Sequence, residues 1–244
     1  MNRKGFVLLA FVTLLSASVA FACAAPTNDA VKAALSKDLS KYPGITVKVE
    51  DCVATLSGAV DRYTDKQSAG RKARSYGALN KVVNSITVGG PSVADDELAN
   101  KLARSLAYDR SMQGNVFDWF TVSSENGAVT VAGYAHNPVA RDSALGLVGA
   151  TAGVKDVVNK IEVLPLSTFD DQIRLAAVRR IYGGSSFIGS LDPAHTIRII
   201  VDNGRVKLEG SVLSMVDKVR AEAAVLGLLG VFSVENHLEV GRKS

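Results

Sequence analysis

The chain is 244 residues long, 47% hydrophobic and 21% charged, a balance that excludes intrinsic disorder and leaves ample apolar surface for packed cores. Its formal charge of +4 drops once Arg3 and Lys4 are set aside, because 26 basic residues then face 24 acidic ones, and bulk charge makes no case for nucleic-acid binding. Two cysteines, Cys23 and Cys52, are too few for a disulfide framework or a four-cysteine metal site.

Residues 1–25 read as a secretory signal peptide. Arg3 and Lys4 precede an apolar run from Phe6 to Phe21, and small residues follow at Ala20, Ala22, Ala24 and Ala25. The run is shorter than the roughly 20 residues a bilayer-spanning helix needs, so the expectation is export without a membrane span. Cys23 is a candidate lipidation site, as in bacterial lipoproteins, although the bulky Phe21 departs from the usual Leu-Ala-Gly-Cys context. The other reading is that Cys23 leaves with the leader or stays inert near the new terminus.

The first structural unit is expected over residues 26–90. Asp29 with Val31, Leu35 and Leu39 marks an amphipathic helix with an acidic start. A short connection, "SKYPG", leads to a β-hairpin with Asp51-Cys52 at its turn, where Cys52 reads simply as a turn residue. The second strand ends at Gly58 in "ATLSG", and a helix follows with Arg62, Lys66, Ala69 and Ala73, its small residues facing the sheet. "ALNKVVNSITV" then forms a closing strand that buries Val82, Ile86 and Val88.

The second unit, residues 91–165, repeats that order. Asp95-Asp96 open a helix carrying Leu98, Leu102 and Leu106; Asn126-Gly127 turns a hairpin; Asn137-Pro138 caps a second helix; and "GVKDVVNKIEV" closes. The third unit, residues 166–244, repeats it again with Asp170-Asp171, the Asn203-Gly204 turn, Ser214 as cap and "GVFSVENHLEV". Asn84, Asn159 and Asn236 each follow Gly58, Gly133 and Gly210 by 26 residues, with no gap needed. Self-similarity at a fixed spacing sets the architecture. Pro91 and Pro165 fall between units.

The predicted fold class is therefore α+β: three tandem αββαβ sandwiches, each a three-stranded mixed sheet with two helices on one face. Modules of this size are marginally stable alone, so the units should pack on one another or on a partner. With this element order, the Gly after the second strand and the G-V-x-x-V-x-N closing motif, the chain resembles the BON domain family of bacterial periplasmic and outer-membrane-associated modules. Gly153-Val154 and Gly230-Val231 match the motif, whereas Ala78-Leu79 departs from it. The resemblance implies a non-catalytic periplasmic protein that binds phospholipid surfaces or envelope proteins and protects the envelope under stress. It implies no enzymatic site and no cofactor.

Residue chemistry agrees with that expectation. His136, His195 and His237 are isolated, with no second ligand at metal spacing. "GGSSFIGS", from Gly183 to Ser190, lacks the Lys-Ser/Thr of a phosphate loop and the G-x-S-x-G of a nucleophile elbow, and reads as a loop. Asp142 and Glu222 stand on helices without a paired carboxylate.

Candidate binding residues lie where the repeats differ. Between the first helix and the hairpin the second unit carries "AYDRSMQGNVFDWF", which contributes Tyr108, Met112, Phe117 and Trp119. If Phe120 and Val122 face the core, strand alternation points Trp119 to the opposite side of the sheet. There it either packs against another unit or sits at a lipid headgroup boundary, since indole is amphipathic. The third unit presents Arg205, Lys207, Glu209, Glu235, His237 and Glu239 on the corresponding face, which reads as a hydrated, charged surface. The first unit holds 10 basic and 6 acidic residues, so Arg62 and Lys66 are candidates either for weak attraction to anionic headgroups or for a plain solvated helix. The partner is thus a phospholipid membrane surface, or alternatively an envelope protein docked on a scaffold.

Overall fold

A computed structural model describes residues 28–108, 115–183 and 196–241. The leader with Cys23, and also Met112, His195 and nearly all of the Gly183–Ser190 stretch, lie outside the described residues.

The first unit runs α1 (Asn28–Asp38), β1 (Ile45–Glu50), β2 (Val53–Val60), α2 (Tyr63–Arg74), β3 (Lys81–Asn84) and β4 (Thr87–Val88). The second runs α3 (Asp95–Tyr108), a 3-10 turn (Asn115–Phe117), β5 (Trp119–Glu125), β6 (Ala128–Ala135), α4 (Pro138–Ala150) and β7 (Asp156–Val163). The third runs α5 (Thr168–Tyr182), β8 (Ile197–Asp202), β9 (Arg205–Val212), α6 (Met215–Leu226), β10 (Ser233–Asn236) and β11 (Glu239–Val240). In each, the hairpin strands pair antiparallel and the closing segment adds parallel to the second of them, so the hairpin's second strand is central. The helix between the central and closing strands supplies the crossover that parallel pairing requires. The expected α+β order holds in all three units.

Two details differ from the sequence reading. The closing strand is continuous only in the second unit, and in the first and third it breaks into two short pieces. The break follows the repeated asparagine, whose side chain turns inward. Asn84 accepts from Ile86 N (3.3 Å) and donates to the Lys66 carbonyl (2.9 Å); Asn236 accepts from Leu238 N (3.2 Å) and donates to the Lys218 carbonyl (2.9 Å). It staples the closing strand to the crossover helix. The repeated glycine, expected at a strand end, instead lies two residues inside the central strand. Gly133 has φ +117, and a Cβ there would sit 2.0 Å from the Trp119 carbonyl oxygen, so only glycine lets the hairpin partner approach.

Each unit has its own core. Leu35, Leu56 and Ile86 are fully buried in the first, Leu98, Leu102 and Val131 in the second, and Ile173, Ile181, Ile199 and Leu208 in the third. Each such side chain is worth about 1.5–3 kcal/mol of apolar transfer. Asn137 and Ser214 cap α4 and α6 by accepting from Ala140 N (2.8 Å) and Asp217 N (3.1 Å), as expected. Arg62 occupies the cap position of α2 without a side-chain bond.

The acidic residues read as helix caps act elsewhere. Ser167 caps α5, while Asp170, fully buried, accepts from Asn203 N (3.0 Å) and Gly204 N (2.9 Å) in the hairpin turn. Asp95 likewise accepts from Asn126 N (2.7 Å), Gly127 N (3.0 Å) and Ser124 Oγ (2.5 Å). In the first unit the equivalent is Asn28 rather than Asp29: the Asn28 Oδ1 accepts from Cys52 N (3.3 Å). The turns need this support, since both central residues of each are left-handed, with φ 47 and 59 at Asp51 and Cys52 and φ 53 and 79 at Asn126 and Gly127. Cys52 is buried at the turn.

Asp170→Ala strands two turn N–H groups, one of them buried, and should lower stability by about 2–3 kcal/mol in chemical denaturation. The Asp95 carboxyl is held below its usual value of 3.8 by the Ser124 hydroxyl and the turn N–H groups. A depressed folded value means that its contribution is intact above about pH 4 and fades as the pH falls through the folded value. Asp95→Asn should therefore flatten part of the acid limb of the stability curve below about pH 4, measured as Tm against pH.

Candidate functional site

The repeats are joined through faces that the sandwich leaves unused. Between the first two units, Tyr63 at the start of α2 packs into the second core beside Gly149 of α4 and the Val157 backbone. Its phenol is pushed above its usual value by burial and by nearby Asp156.

Between the second and third units the joint is larger and polar. Val116 and Phe117, in the segment that lengthens the second unit, pack against the core of the third. Asp118, buried, accepts from the His136 backbone N–H (2.8 Å), and His136 Nδ1 lies 2.8 Å from the same oxygen. The start of β5 is thereby pinned to the end of β6, and Phe117 stands edge-on to the His136 ring with centroids 6.2 Å apart. Trp119 and Tyr134 are cross-strand partners on the sheet face turned away from the helices. Lys207 of β9 donates to the Tyr134 hydroxyl (3.0 Å), with its ammonium 4.9 Å from the ring centroid, and that bond raises its basicity.

A cleft of about 440 Å3 opens along this joint, lined by Trp119, Arg198, Glu209, Ser211, His237 and Glu239 among others. Arg198 is nearly buried, and desolvation lowers its pKa while Tyr182 and Asp118 oppose the shift. Glu209 and His237 form a pair at 2.8 Å. Arg198 stands among the carboxylates Asp118, Glu209 and Glu239 in the lining, so the cleft presents both signs of charge.

The face of the third sheet expected to be hydrated is thus half of the joint. Ile200 on that face is only 2% exposed, and Lys207 reaches across to the second unit. Of the residues singled out in the sequence, Trp119 is half-buried and lines the cleft. Phe117 is half-buried against the third core. Tyr108 is the last residue of α3 and about half exposed. Arg62 is exposed and Lys66 half-buried on α2, in a different unit, so the candidates do not gather at one place. Arg198 was missed, though its sequence signal was present: a lone charge within the apolar run Ile197–Val201. The buried Asp118 next to Trp119 had no such signal.

These features define a class: a tandem array of αββαβ modules with a polar inter-module cleft. Residues 25–90, 94–165 and 170–242 each match the BON domain, and the chain belongs to the BON domain family. It is similar to the outer membrane lipoprotein DolP of Haemophilus influenzae, with 24% identity over 208 residues that cover 83% of this chain and 97% of that protein. Among solved structures, the C-terminal domain of CdsD, a structural protein of the type III secretion system of Chlamydia trachomatis, aligns over 85% of this chain and 96% of that one. Its identity is 14% and its TM-score 0.25, and a second CdsD structure aligns with 15% identity and a TM-score of 0.24, values too low to carry an argument.

Phe117→Ala should cost about 2 kcal/mol by emptying part of the third unit's packing. Because Trp119 is the chain's one tryptophan, loosening of the joint should appear as a red shift of its emission at temperatures below the main melting transition.

Proposed function

We propose that this chain is a non-catalytic envelope protein, periplasmic and associated with the outer membrane, whose BON modules bind anionic phospholipid surfaces and support envelope integrity. Membership of the BON family and similarity to an outer membrane lipoprotein support the location. The observation that carries the binding is the charge on α2. Arg62, Arg71 and Arg74 are exposed there, in a unit with 10 basic and 6 acidic residues, and the lone carboxylate of that helix is Asp65. Cations in the last helical turn also face the negative end of the helix dipole, which steadies them where they stand.

Exposed basic residues close to an anionic surface are attracted to its headgroups with about 1 kcal/mol each. The protein should therefore sediment with vesicles containing phosphatidylglycerol, far less with pure phosphatidylcholine vesicles, and progressively less as salt rises. Arg71→Ala combined with Arg74→Ala should lower the partition coefficient by roughly tenfold or more. Failure to sediment with either vesicle, or equal and salt-independent sedimentation with both, would rule the reading out.

A further inference from the structure

The large apolar side chains left exposed are distributed unevenly. Fourteen are exposed among the described residues, and eleven belong to the third unit. Four of them, Met215, Val216, Val219 and Leu226, lie on one side of α6, within about 100° of arc at 3.6 residues per turn. Ala221 and Val225 fill the core from the other side of the same helix. Leu229 and Phe232, in the turn that follows, are 98% and 77% exposed.

The fold does not require this row. With Lys66, Arg141 and Lys218 in register, the positions of Val216, Val219 and Leu226 are occupied by Thr64, Gln67 and Arg74 on α2 and by Val139, Asp142 and Gly149 on α4. The same sandwich forms in those units without an apolar row. On α2 and α4 these positions also supply the contact between units, where Tyr63 and Thr64 meet Gly149. On α6 the equivalent positions are bare.

Charge indicates what covers them. The carboxylates of α6 are engaged internally, Asp217 with the Ser214 hydroxyl (2.7 Å) and Glu222 with Asn236 Nδ2 (3.0 Å). Lys218 and Arg220 have no ion-pair partner among the described residues, nor do Arg179 and Arg180 on α5, the helix packed beside α6. A second copy of the chain would bring these cations toward one another. A surface that is anionic outside and apolar beneath satisfies both the row and its flanks.

We propose that α6 of the third unit lies along an anionic phospholipid bilayer. Met215, Val216, Val219, Leu226 and Leu229 enter the boundary between headgroups and acyl chains, and Lys218 and Arg220 meet the headgroup phosphates. This inference rests on the phospholipid reading above and names where the apolar contact is made.

The test uses the full exported chain with mixed phosphatidylglycerol and phosphatidylcholine vesicles. Val219→Asp with Leu226→Asp should weaken sedimentation by roughly tenfold or more, since two apolar contacts become like-charge repulsions. Circular dichroism should still show the native fold, because both positions are exposed, with a small drop in Tm from the new carboxylate at the end of α6. In a Trp119→Phe background, whose own sedimentation serves as the reference, Val219→Trp should be quenched by brominated acyl chains. Wild-type binding with an unaffected double variant and no quenching overturns the placement while leaving the phospholipid reading intact. Absence of wild-type binding overturns both. A fall in sedimentation-equilibrium mass from dimer to monomer in the double variant would make the row a contact between copies and overturn the inference.

Discussion

Each unit depends on one polar side chain at the start of its first helix that reaches the turn of its own hairpin. The turn is tight and left-handed at both central residues, and its N–H groups point toward the helix rather than across a strand. A carboxylate there satisfies those donors, and in the third unit it does so in full burial, where leaving them unpaired would be costly. It also sets how the first helix sits over the sheet, and therefore how Ile173, Ala177 and Ile181 meet Ile199 and Leu208. The first unit carries the weaker version, an amide with a single 3.3 Å contact to Cys52.

Because the clamp and the in-strand glycine recur in every unit, and the asparagine staple in the first and third, the rest of the surface is free to differ between copies. The first unit spends that freedom on basic side chains along α2. The second lengthens the connection before β5 and uses it to drive Val116 and Phe117 into its neighbour. The third leaves an apolar row along α6. Small modules gain stability by sharing cores, and here the sharing is asymmetric. The second unit receives Tyr63 from the first and gives Phe117 to the third, so the middle module is the keystone of the array.

The repeats themselves were legible because their signals are local. Alternation around Asn126-Gly127 and Asn203-Gly204 specifies hairpins, and Asn137-Pro138 and Ser214 specify helix starts, from the chemistry of a few neighbouring residues. The acidic residues were legible as helix-start residues but not as turn clamps. That role links positions more than thirty residues apart, Asp95 to Gly127 and Asp170 to Gly204. Likewise the break after Asn84 and Asn236 depends on a bond to the crossover helix that no strand pattern reveals.

By itself the sequence determined the number of units, the order of elements in each, the core residues and the side of the sheet on which Trp119 stands, because alternation and helical periodicity assign faces residue by residue. Only the tertiary structure decided what each outward face meets. The charged face of the third sheet became half of a joint, Phe117 became a plug, and the α6 row stayed bare. Periodicity says which side chains leave a module's own core; which of them a neighbouring module then covers depends on how the modules dock, through contacts between residues far apart in the chain.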